Sequence, residues 1–129
     1  MPSRKLNDAD DKLSTLFSIG RYLFENDYPS RKLIITTTWR SPEEQQMLYA
    51  QGRTKPGQIV TQLDGVNKLS NHNYHPSRAL DFAVVINGAI TWDEAEYKKA
   101  GPYFTVRGLL WGGNWTSFKD YPHLELSIA

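Results

Sequence analysis

Apolar positions along the chain follow two periods. In "DDKLSTLFSIGRYLFEND", residues 10–27, Leu13, Leu16, Phe17, Leu23 and Phe24 recur at helical spacing. Acidic residues crowd the start, where a helix dipole favours them, and Pro29-Ser30 closes the segment. "RKLIITTTWR", residues 31–40, is apolar and β-branched and predicts a buried strand ending near Arg40. "SPEEQQMLYAQG" predicts a helix from Ser41 as N-cap, with Pro42 in the first helical position, to Gly52.

The next stretch, residues 53–78, is polar and turn-rich and reads as loop, with a short strand expected at Ile59–Thr61. "ALDFAVVI" predicts the second strong strand, and Asn87-Gly88 turns it back into "AITW". "DEAEYKKAGPYFTVRGLLWGG" is expected to be helical and broken at Gly101-Pro102. The chain then loops into a short strand, "HLELSI". The sum is an α+β fold, a small, mainly antiparallel sheet flanked by helices.

Composition narrows the chemistry. A length of 129 residues fits a single domain, 1–129, large enough to bury a core without disulfides. Cysteine is absent, so any metal site must draw on His, Asp and Glu. A net charge of +1 with dispersed Lys and Arg argues against a nucleic-acid partner. No apolar run reaches the roughly 20 residues of a membrane span. The polar start, "MPSRKLNDADDKLS", carries no export signal, so synthesis in the cytoplasm is expected.

The imidazoles are His72, His75 and His123. A catalytic zinc takes three protein ligands and keeps one position open. Two ligand sets satisfy this, His72, His75 and His123, or His72, Asp81 and His123. Spacing alone does not choose between them. Asp81 opens a strongly apolar strand, where a carboxylate is costly unless paired, hydrogen-bonded or metal-bound. Asp120 precedes His123 by three residues across Tyr121-Pro122, read here as extended. That places a general base within reach of the same site.

Several motifs in order resemble one family, the zinc D-Ala-D-Ala carboxypeptidases and the phage L-alanyl-D-glutamate endopeptidases, whose fold the hedgehog signalling domain shares. The matching pieces are Ser70-Asn71-His72, "PSRALD" ending in Asp81, and Asp120-Tyr121-Pro122-His123. Upstream, "TTTWRSPEEQQMLYAQGRTKPG" looks like the endolysin segment around Arg40 and Gln45, and "WGGNWTSFKDYPHLEL" looks like its ending. The resemblance covers residues 34–127. The step from His72 to Asp81 is nine residues, longer than in many members, and "HPSRA" replaces a glycine-containing piece.

The resemblance implies His72, Asp81 and His123 as Zn2+ ligands, with His75 left as a loop residue. It implies Asp120 as general base and then acid, and Arg40 as stabiliser of the oxyanion. Gln45, Ser70 and Trp115 would support the site or bind substrate, while Trp111 suits the core. The implied activity is cleavage of the peptidoglycan stem peptide by a phage or prophage endolysin. The alternatives are a D,D-carboxypeptidase of the same fold and a non-catalytic, zinc-containing wall-binding or virion module. A monomer without a separate wall-binding domain or stable membrane association is expected, reaching the wall by holin release or virion delivery.

Overall fold

The computed structural model describes residues 1–127. Four helices are α1 (Asp11–Asp27), α2 (Pro42–Ala50), α3 (Glu94–Ala100) and the single-turn α4 (Pro102–Thr105). Five strands are β1 (Arg31–Thr37), β2 (Ala79–Ile86), β3 (Ala89–Thr91), β4 (Leu109–Trp111) and β5 (His123–Leu126). All pairings are antiparallel, in the order β1-β2-β5-β4, with β3 on the far half of β2. The expected α+β architecture is the one found.

Local chemistry explains the boundaries. Asp10 caps α1 by accepting from the Lys12 amide. Ser41 and Glu44 form a reciprocal capping box at α2, with Pro42 just inside it. Asn87 and Gly88 both adopt positive φ, as the tight β2–β3 turn requires.

Alternate residues of β2 send Leu80, Phe82 and Val84 to the helical side. There they meet Leu13, Phe17 and Phe24 of α1, Tyr97 of α3, and Phe104 of α4. Phe17 stacks on Phe104 with ring centroids 5.3 Å apart. Gly20 permits this approach, because a Cβ there would lie 2.5 Å from the Phe104 ring. Each such aromatic, fully buried, contributes roughly 1.5–3 kcal/mol.

Four local expectations are corrected. β1 ends at Thr37, short of Arg40, because the register slips between Ile35 and Thr37 and the chain leaves the sheet. Ile59–Thr61 forms no strand, since among the described residues no other segment pairs with its backbone and both Ile59 and Val60 are exposed. "RGLLWGG" is not helix. Gly108 at φ +90° turns the chain, and Leu109–Trp111 pairs with β5. Tyr121-Pro122 forms a turn rather than an extended link, closed by the His123 amide donating to the Asp120 carbonyl at 3.1 Å. β5 runs to Leu126, and Ile128 of the expected strand lies outside the described residues.

Candidate metal centre

Asp81 occupies the middle of the sheet. Its Cα partners are Thr37 on β1 and His123 on β5. Directly opposed residues share a face with Cβ atoms about 5 Å apart, so the pairing itself sets carboxylate beside imidazole. The Nδ1 of His123 lies 3.2 Å from Asp81 Oδ1.

His72 arrives from a short helical turn, Asn71–Asn73. Ser70 caps that turn by accepting from the His72 amide, and Asn73 accepts the Ser70 amide in return. The buried His72 ring points its Nε2 to within 3.2 Å of the same Asp81 Oδ1. Potential ligand atoms of His72, Asp81 and His123 all lie within 4.8 Å of one another.

Both imidazoles are held from behind. The His72 Nδ1–H donates to the Thr38 carbonyl at 2.7 Å, leaving the Nε2 lone pair for the site. The His123 Nε2–H donates to Glu125 Oε1 at 2.7 Å, leaving Nδ1. Asn71 Nδ2 donates to the other oxygen of Glu125 at 2.9 Å, joining the His72 turn to β5. The Trp115 ring packs on His123 with centroids 5.0 Å apart.

These residues fit a metal ion. Ligand atoms about 2.0–2.1 Å from a tetrahedral ion sit roughly 3.3 Å apart. The two nitrogen–oxygen separations of 3.2 Å match that spacing. Two nitrogens with fixed lone pairs and one carboxylate form a donor set suited to a borderline cation.

The electrostatics agree. Burial would raise the Asp81 carboxyl, but the charges and hydrogen bonds of His72 and His123 hold it well below the usual range. Burial opposes charge on His123, yet its hydrogen bonds to the Asp81 and Glu125 carboxylates outweigh it and push the imidazole up to about 9, until a bound ion displaces the Nδ1 proton. Asp120 differs. Its side chain is 44% exposed, with Oδ2 3.8 Å from His123 Nδ1. Desolvation against the cleft wall and the nearby Asp81 carboxylate push its carboxyl above the ordinary range. Gly112 sets this position, since a Cβ there would lie 2.2 Å from the Asp120 carbonyl.

Arg40 approaches from beyond β1. Its amide donates to the His72 carbonyl, and its Nη2 lies 3.8 Å from Asp81 Oδ2. Gln45 accepts from Arg40 Nη1 at 2.9 Å and donates to the Leu63 carbonyl at 2.9 Å. The amide is 1% exposed, so Gln45 is a buried bridge and not part of a solvated helix face. Together these groups line one cleft of about 740 Å³, with Ser70, Trp115 and an apolar wall that includes Leu48, Val60 and Leu69.

His75 stands outside the cluster. Its side chain is 61% exposed, packs against Trp39, and lies 3.6 Å from Asp8. Glu125 and Asn71 were missed by sequence reasoning. The readable signal was the two-residue step in "HLEL", which puts Glu125 on the same strand face as His123.

The D-alanyl-D-alanine carboxypeptidase family profile matches residues 64–126, a span that contains all three candidate ligands and Asp120. The peptidoglycan L-alanyl-D-glutamate endopeptidase CwlK of Bacillus subtilis (strain 168) is 41% identical over 104 residues, 73% of this chain and 60% of that protein. The L-alanyl-D-glutamate peptidase of Listeria phage A118 is 28% identical over 85 residues, 63% of this chain and 30% of that protein. The chain thus spans less than two thirds of the length of either relative. The crystal structure of the Serratia marcescens L-Ala D-Glu endopeptidase ChiX superposes with a TM-score of 0.74 at 18% identity, covering 98% of this chain and 89% of that one. That likeness establishes the fold. With its ordered motifs converging on one cleft of that fold, the chain is similar to the D-alanyl-D-alanine carboxypeptidase family over residues 64–126, the half of its length that carries the site.

Proposed function

We propose that this chain is a zinc-dependent peptidase that cuts the stem peptide of bacterial peptidoglycan at the L-alanyl–D-glutamate bond, as a phage or prophage endolysin. The observation that carries the reading is the convergence of His72 Nε2 and His123 Nδ1 on one Asp81 oxygen, with Asp120 at the rim. The names of the two sequence relatives support the choice of bond. The reading treats residues 1–129 as one catalytic domain acting as a monomer. It would meet the wall after holin release or virion delivery.

His72, Asp81 and His123 would hold the ion, with Glu125 and the Thr38 carbonyl keeping both rings in the ligating tautomer. When bound, zinc supplies Lewis acidity and an activated water. Asp120 accepts the proton of the attacking water and returns it to the leaving amine. Its upward-shifted carboxyl suits it to both duties. Arg40 donates to the carbonyl oxygen as that oxygen gains negative charge. Gln45 holds the guanidinium in place, and the apolar wall receives the stem peptide.

Mass spectrometry of muropeptides after digestion, with and without chelator, tests the reading. New amino-terminal D-glutamate that disappears with chelator is the expected result. Release of free D-alanine would establish the D,D-carboxypeptidase alternative. Binding to peptidoglycan without any new amino terminus would establish the non-catalytic one.

A further inference from the structure

The cleft carries an uneven set of charges. Asp81, Asp120 and Glu125 supply three carboxylates, and Arg40 and Lys119 are its lining cations. Arg40 is engaged by Gln45 and by Asp81. Lys119 is exposed, and its ammonium makes one contact, 3.3 Å to the Gly113 carbonyl. Among the described residues it has no carboxylate partner. Phe118, at φ +50°, turns the chain immediately before it.

Lys119 is the chain neighbour of Asp120. A group that returns a proton to the leaving amine sits on the leaving side of the scissile bond, and Lys119 lines the same cleft one residue away. The leaving residue in an L-alanyl–D-glutamate bond is glutamate. Glutamate has two carboxyl groups and only one can continue the chain, so the other is a free anion a few bonds from the scissile nitrogen. Asp81 and Glu125 already have partners in His72, His123, Arg40 and Asn71, so among the cleft's Lys and Arg side chains Lys119 is the one left to meet an incoming anion. A lysine on a flexible four-carbon stem is suited to meet such a point charge.

We propose that Lys119 binds this free carboxylate and sets a preference for glutamate over its amide on the leaving side of the bond. The proposal deepens the L-alanyl-D-glutamate peptidase reading and rests on it. The test uses two synthetic stem peptides, one with the free carboxylate and one with that group amidated. Rates of cleavage by zinc-loaded wild type, Lys119→Met and Lys119→Arg are compared, with circular dichroism melts to show that the variants fold.

Wild type should prefer the acid by roughly tenfold in kcat/KM, the scale of one charge-assisted contact. Lys119→Met should bring that ratio close to one, chiefly through a higher KM on the acid, and Lys119→Arg should keep most of it. An unchanged ratio in Lys119→Met, with both peptides still cut, overturns the role of Lys119 and leaves the bond assignment standing. Failure of wild type to cut either peptide, while D-alanine is released from a complete stem, overturns the bond assignment and this proposal with it.

Discussion

The two faces of β2 do different work one residue apart. Phe82 is fully buried, in tilted contact with Phe17, Tyr97 and Phe104. Asp81, its neighbour, faces the cleft between two imidazoles. On the first face, loss of a side chain leaves a cavity. On the second it removes a charge that its partners are arranged around. Strand alternation lets one segment anchor the core and the site without either set of side chains entering the other's space.

Four substitutions sharpen or break this separation. The largest effect should come from Asp120→Ala, lowering kcat on peptidoglycan about 10²–10⁴-fold. Metal content by atomic absorption and melting temperature should stay near wild type, because Asp120 is half exposed at the rim. Full lytic activity in that variant would remove Asp120 from the mechanism. Phe82→Ala should cost about 3–5 kcal/mol in urea unfolding. Metal binding by the fraction that remains folded should persist, and its selective loss would show that the two faces are coupled.

The Arg31–Glu96 pair tests the helical side by pH. Arg31 Nε and Nη2 both donate to the buried Glu96 carboxylate, at 2.6 and 3.0 Å. Those bonds, with Lys99 adding to them against burial, hold the Glu96 carboxyl at about 2 rather than 4.5. A depressed carboxyl stabilises the fold above its unfolded value and loses that contribution as pH falls from about 4.5 through about 2. Glu96→Gln should therefore destabilise by about 2 kcal/mol at neutral pH, and the gap from wild type should close in acid-unfolding curves. The smallest effect should be His75→Ala, within about 0.5 kcal/mol of wild-type stability and with unchanged zinc stoichiometry. Loss of zinc there would revive the ligand set built on His75.

Helical periodicity made α1 legible, capping residues with Pro42 made α2 legible, and an unbroken apolar run before Asn87-Gly88 made β2 legible. β4 was not, because "GLLW" is too short to show a period and adjoins helical sequence. Its strand state comes from pairing with β5, a contact that local sequence does not encode. At the site, ordered motifs pointed to His72, Asp81 and His123 ahead of any geometry. What stayed hidden was how they are held. The Thr38 carbonyl that orients His72 is a backbone atom, displaced toward the site by the register slip at the end of β1. No side chain announces it.

Gln45 joins two things that would otherwise respond separately. One end of its amide holds the Arg40 guanidinium, and the other is pinned to the Leu63 carbonyl on the wall of the cleft. A peptide that presses on that wall far from the bond being cut therefore also loads the linkage that aims Arg40. If Arg40 meets the developing charge as proposed, lengthening the substrate along the wall should register in turnover as well as in affinity, because remote binding energy would reach the guanidinium through Gln45. The cleft would act less as a set of independent pockets than as a lever whose fulcrum is one buried amide.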